Sequence, residues 1–403
     1  MEDAKVFGTR LREVRCWRGL TLREAAGLAG LSFSFWGQVE RGEKAVNSRR
    51  TLEAMATAFS PRSTELSGQP WAPTDAVGSG EKGLMAIETA LERYELGTDP
   101  ELPVRAWPQI QADLDLLVQL IHWTGDYAAM GELVPALIGE LHGAHVQLPE
   151  RHREVLLGLM EAYSVAMWTT KLLGGRGLPA LAARAVQQCA EVLGDVVWLG
   201  YAVWLRGDAT GHLDRAGQYR RSVAAAENLT GMLDCGDALQ ACGELHLSAA
   251  LAAGAQADHA TAATHLEEAS ALAARMDTEV GDWGHLWFGP TNIGIWRTAV
   301  AVELGEHGQA LDAAKTVHPE LLPAPVRQAR FWMSVGRALV AERKTREAGL
   351  RVLLRAERLA PQLVRNDLFV REAVATLLRQ ARRDAGGREL RGLAWRMGVA
   401  PIE

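Results

Sequence analysis

Between Thr21 and Arg50 the chain gathers side chains suited to a polyanionic duplex. The Gln38 amide can donate to and accept from one adenine edge at once. Ser34 can do either at several base edges, and Phe33 can pack on a thymine methyl. Thr21 and Ser32 stand where helices should begin, so their hydroxyls and the neighbouring amides suit a phosphate. Arg41, Lys44, Arg49 and Arg50 add positive charge that counts more as a group than singly. These nine residues are the candidate DNA-binding set.

A second concentration is aromatic. The chain has 13 tryptophans, ten of them beyond residue 100. Trp168, Trp204, Trp283, Trp287 and Trp296, with Tyr163, His246, Asn292 and Arg297, form the candidate effector-binding set. A mostly apolar cleft with a few polar groups suits a hydrophobic small molecule or a short peptide. Asn292 offers both donor and acceptor, as an amide ligand requires. Trp198 and Trp332 are expected on the same face, and Asp282–Asn292 is the least helix-like stretch of this region.

Catalytic patterns are weak by comparison. His142-Gly-Ala-His145 lacks the acid of a zinc-binding H-E-x-x-H helix, and Leu173-Gly-Gly-Arg-Gly177 has no G-K-[ST] of a phosphate loop. No Ser or Cys sits in a nucleophile elbow. The reading is therefore of a non-enzyme with no metal and no cofactor. The 11 histidines are expected at surfaces and turns. Cys16, Cys189, Cys235 and Cys242, without a C-x-x-C pair, are expected to be small buried hydrophobes.

These side chains need elements to position them. Phe7, Leu11, Val14 and Trp17 fall on one face of a first helix. Thr21 to Glu24 has the spacing of a capping box for a second. Gly30 suits a left-handed turn, Ser32 caps a third helix through Arg41, and Gly42 ends it. Ser48 caps a fourth helix running to Phe59. In the third helix Trp36 and Val39 face inward. Two short capped helices across a glycine turn make a helix-turn-helix. Pro61–Asp75, rich in Pro, Ser, Gly and Thr, reads as a linker. Downstream, Ala- and Leu-rich amphipathic helices dominate. Ala128, Ala182, Ala216, Ala260, Ala310 and Ala348 open helices after short turns at intervals of 34–54 residues, the pattern of helical hairpins that stack.

The run Leu20-Thr-Leu-Arg-Glu-Ala-Ala-Gly-Leu-Ala-Gly-Leu-Ser32, followed by Val39-Glu-Arg-Gly42, resembles the Xre/Cro/lambda-repressor helix-turn-helix family over residues 4–66. Ala25 stands where that family usually has Leu, and Trp36 where it has Leu or Ile. The downstream helices resemble degenerate tetratricopeptide repeats. The whole build looks like large actinobacterial regulators and, more distantly, Rap/Rgg/PlcR-type peptide sensors. The resemblance implies that the start of the third helix enters a major groove.

Charge agrees with a division of labour. Residues 1–66 carry 11 Lys and Arg against 8 Asp and Glu, residues 67–342 carry 18 against 34, and residues 343–396 carry 14 against 6. The acidic middle would repel nucleic acid, so contact should fall at the first segment. No apolar run reaches the roughly 18 residues of a membrane span, and the acidic start is not the pattern of a secretory leader. The expected fold is all-α: a helix-turn-helix bundle at 1–66, a linker at 67–78 and a tetratricopeptide-like α-solenoid at 79–403 for sensing and dimerisation. The expected function is that of a cytoplasmic, sequence-specific transcriptional regulator. Its partners would be double-stranded DNA, a second copy of itself and a small-molecule or peptide effector, with no membrane. The competing reading is a repeat scaffold that grips a protein partner and takes no small effector.

Overall fold

A computed structural model describes residues 2–17, 20–44, 46, 51, 55, 58, 76–211, 213–384, 387–397 and 399. Every regular element among them is helical, so the fold is all-α. The chain divides into two compact units, Met1–Asp75 with Leu368–Glu403, and Ala76–Asp367. The sequence reading instead places Leu368–Glu403 with the repeats and carries the linker to residue 78, past the start of the second unit at Ala76. Amphipathic helices carry the same pattern whichever unit they join.

The first unit begins with α1 (Glu2–Trp17), α2 (Leu22–Leu28) and α3 (Phe33–Glu40). Glu24 N donates to the Thr21 hydroxyl at 3.2 Å and Thr21 N donates back to the Glu24 carboxylate at 2.8 Å, so the capping box is complete. Gly30, at φ 63°, supplies the left-handed turn between α2 and α3. Ser32 Oγ then accepts from Phe35 N at 3.2 Å, and Gly42 follows α3 at φ 69°. Leu11, Ala25, Ala26, Trp36, Val39 and Met55 form the core, with Phe7 and Val14 packed against it. Burial of Leu11 and Val39 contributes about 1.5–3 kcal/mol each. Gly8 lets α1 cross α3 closely, since a Cβ there would lie 2.7 Å from the Glu40 carbonyl oxygen. Of the fourth helix expected from Ser48 only residues 51, 55 and 58 are described, all helical, while the Trp17 side chain, most of the linker, and Arg49 and Arg50 lie outside the described residues. The same unit holds α18 (Leu368–Asp384) and α19 (Arg388–Arg396), which pack on each other.

The second unit runs through α4 (Ala76–Arg93), α5 (Trp107–Gln119), α6 (Tyr127–Gln147), α7 (His152–Leu172), α8 (Leu178–Leu193), α9 (Val196–Thr210) and α10 (Arg215–Leu229). It continues with α11 (Gly236–Gly254), α12 (His259–Ala273), α13 (Pro290–Glu303), α14 (His307–Ala314), α15 (Pro325–Ala341), α16 (Arg346–Leu359) and α17 (Pro361–Asn366). Asp126, Asp195, Asp214 and Asp258 cap helix starts through their carboxylates. Prolines in the first turns of α5, α8, α13, α15 and α17 need no intrahelical partner there.

Most helices adjacent in sequence pack together, with α4 on α6 instead of α5, and α7, α9, α11, α13 and α15 also touch in turn as a second row. That row is solenoid-like and gives the unit a continuous inner wall. Two expectations need correction. Cys16 and Cys235 are exposed, because only Cys189 and Cys242 fall on inward helix faces. His142 and His265 are buried, His142 between the Glu95 carbonyl (3.2 Å) and the Tyr163 hydroxyl (2.6 Å).

Candidate functional site

The outward face of α3 is built on a buried polar clamp. Glu40 accepts from Arg15 Nε at 2.6 Å, from Arg15 Nη2 at 3.0 Å and from Trp36 Nε1 at 2.7 Å. The clamp ties α3 to α1 and satisfies a carboxylate that the core would otherwise strand. Neither Arg15 nor this use of Glu40 is signalled by local pattern. Phe33, 54% exposed, and Ser34 stand in solvent, and Gln38 is half-buried. The Arg23 guanidinium lies 5.9 Å from the Phe33 ring centre, and Lys44 Nζ lies 4.8 Å from that of Phe35. Thr21 and Ser32 are exposed at the starts of α2 and α3. Arg41 forks onto Glu43 at 2.7 and 2.9 Å, so a phosphate would have to compete with that carboxylate. The outward face therefore offers an aromatic ring, a hydroxyl, an amide and cations.

The second unit holds a cavity of about 260 Å³ bordered by α7, α9, α11, α13 and α15. A π-helical turn, Leu120–Thr124, and the segment before α13 complete it. Five of the nine candidate effector residues border it: Trp168, Trp204, Trp287, Asn292 and Trp296. The other four, Tyr163, His246, Trp283 and Arg297, lie elsewhere. Tyr163 serves His142, and His246 Nδ1 pairs with His265 Nδ1 at 2.9 Å. Trp283 packs against Trp198 with ring centres 5.1 Å apart, and Arg297 bonds Glu267 and Ser270. Trp332 packs with Phe331 under Arg355.

Charged groups that no sequence pattern singles out also line this space. Glu244, on α11, accepts from Asn292 Nδ2 at 2.9 Å, and Asn292 Oδ1 accepts from Arg327 Nε, on α15, at 2.8 Å. Burial pushes the Glu244 carboxyl up to about 8, against the opposing pull of Arg327. Burial likewise lowers Arg327 to about 10, which still leaves it charged at neutral pH. Glu161 is pushed up by burial, and His122 is held down at about 3 by burial and then by His285 and Arg330. His285 and Trp287 adopt φ of 54° and 58°, a left-handed backbone that bulky residues rarely hold. A neighbouring depression of about 320 Å³ shares Glu161, Gly284 and His285 with the cavity.

Residues 6–60 match a family described as a helix-turn-helix domain, so the chain carries such a domain at its start. No curated protein matches the chain. One solved structure, the apo form of the competence regulator ComR from Streptococcus vestibularis, covers 88% of this chain and 99% of its own. It is 11% identical with a TM-score of 0.22, a value that carries no argument about this chain. No helix among the described residues is long and apolar enough to cross a membrane.

Proposed function

We propose that the protein is a sequence-specific DNA-binding transcriptional regulator with an effector site in its second unit. α3 enters the major groove, where Gln38, Ser34 and Phe33 meet base edges. Thr21, Ser32, Arg41 and Lys44, with Arg49 and Arg50, meet phosphates. The helical-repeat body dimerises, so that two helix-turn-helix domains reach two half-sites across the linker at 67–78. A small molecule or short peptide in the cavity shifts the dimer between states that match or miss the half-site spacing. Such a regulator works in the cytoplasm and performs no catalysis.

The observation that carries this reading is α3 itself. Its Trp36–Glu40 side is locked into the core, and Phe33 and Ser34 are left in solvent. Selection of bound fragments from random DNA tests it, with a palindromic site expected. In a gel shift at moderate salt, Gln38→Ala should weaken binding to that site roughly 10- to 100-fold. Absence of any sequence-preferring complex, or a variant that binds as wild type does, overturns the assignment of α3 as the reader.

A further inference from the structure

Several buried donors on residues lining the cavity of the second unit lack a partner. Arg327, Trp287 and Trp296 border it, and their Nη2 and Nε1 atoms are buried with no hydrogen-bond partner among the described residues. All three are obligate donors. His285 Nδ1 is likewise buried without a partner. Buried polar groups are almost always satisfied in native proteins, because leaving one unmatched forfeits its hydration. Several unmatched donors around one space mark a site whose acceptors arrive with a ligand.

Asp208 and Glu244, two acids of the wall, do not fill that role. Asp208 is already engaged by Lys171 Nζ at 2.6 Å. Glu244 accepts from Asn292, and its raised carboxyl keeps its proton at neutral pH. Arg337 is paired with Glu303 at 3.4 Å, but Arg327 reaches only the neutral Asn292. The guanidinium of Arg327 lies 5.0 Å from the Trp296 ring centre, which holds its plane while leaving Nη2 unengaged. Trp287 is both an unmatched donor and, with His285, one of the cavity residues held in left-handed backbone, so the local fold keeps its ring in a costly position.

We infer that the cavity receives a small apolar carboxylate, whose oxygens accept from Arg327 Nη2 and from the indole N–H groups of Trp287 and Trp296. Its flat body lies against Trp168 and Trp204, whose ring centres are 6.3 Å apart. At about 260 Å³ the space falls just below the usual range of ligand pockets, roughly 300–1,000 Å³. It admits a one- or two-ring acid, or the terminal residues of a peptide with a free carboxylate. This inference rests on the reading of the cavity as the effector site.

The test is calorimetric titration of the full chain at pH 7. The probes are phenylacetate, indole-3-acetate and 2-naphthoate with their primary amides, and Leu-Leu-Phe with a free or amidated C-terminus. At least one carboxylate should bind saturably, with its amide at least roughly tenfold weaker, as expected for lost charge-assisted hydrogen bonds. A preference among the free acids identifies a small metabolite, and one for free Leu-Leu-Phe identifies a peptide end. Arg327→Gln should bring acid and amide to equal affinity. Trp287→Phe, which keeps a ring and removes the N–H, should weaken the acid more than the amide. An amide that binds as well as its acid, or an acid preference that survives Arg327→Gln, overturns the inference. If Trp168→Ala abolishes such neutral binding, the cavity stands as the effector site and only carboxylate recognition falls. If no probe binds, carboxylate recognition falls, while DNA selection independently decides the role of α3.

Discussion

Glu244 offers the sharpest quantitative prediction. It is 1% exposed, and burial raises its carboxyl to about 8 from an ordinary 4.5. Between those values the native protein holds a proton that the unfolded chain has released, so stability is fullest below the unfolded value and declines as pH rises towards the folded one. Arg327 opposes this by favouring the charged form, and Arg330 and Asp208 act in turn on Arg327. Glu244→Gln keeps an oxygen to accept from Asn292 and removes the titration. The gain of the variant over wild type should therefore grow by about 3.5 kcal/mol from pH 5 to pH 8, from about 1.36 kcal/mol per pKa unit. For a unit the size of Ala76–Asp367 that is about 6 °C in midpoint, taking about 2.1 cal/mol/K per residue. Thermal denaturation of both proteins at several pH values reads the difference directly. Midpoints that run parallel across the range would refute the argument, because Glu244 would then ionise in place as a solvated carboxylate does.

Two further outcomes follow from buried geometry. His142 is 2% exposed and burial holds it at about 4 against an ordinary 6.5, so its stabilising neutrality is present above the unfolded value and lost as pH falls through this window. The loss amounts to about 3 kcal/mol, and His142→Gln should flatten the acid limb of the midpoint-against-pH profile; an unchanged limb would place the acid loss elsewhere. At Gly243 a Cβ would fall on the buried Phe288 ring, where α11 meets the segment before α13. Gly243→Ala should lower stability by roughly 1–3 kcal/mol in urea denaturation, and a neutral result would mean that Phe288 has room to move.

Local pattern carried the first unit well. The Thr21–Glu24 box, the Gly30 turn and the Ser32 cap are all short-range devices, so their spacing in sequence is their geometry. Trp36 and Val39 were legible as inward residues because helical periodicity sets them apart from Phe33 and Ser34. The Arg15–Glu40 pair was not, since its members are 25 residues apart and each reads as an ordinary surface charge. The cavity shows the same limit. Its tryptophans and Asn292 drew notice by composition, whereas Glu161, Glu244 and Arg327 come from three separate helices and look like solvated positions on each. Periodicity equally fails to separate Trp287, which borders the cavity, from Trp283, which packs against Trp198. That separation depends on the left-handed backbone at Gly284, His285 and Trp287, a local geometry with no compositional signature at the latter two.

The clamp between Arg15, Trp36 and Glu40 has an evolutionary consequence. The residues that anchor α3 alternate along it with those that look outward, and the two groups share no hydrogen bond in the clamp. Exchanges at positions 33 and 34 leave the anchor intact, so, if α3 reads DNA as proposed, descendants of this chain would drift in target preference by single codon changes while inheriting the same chassis.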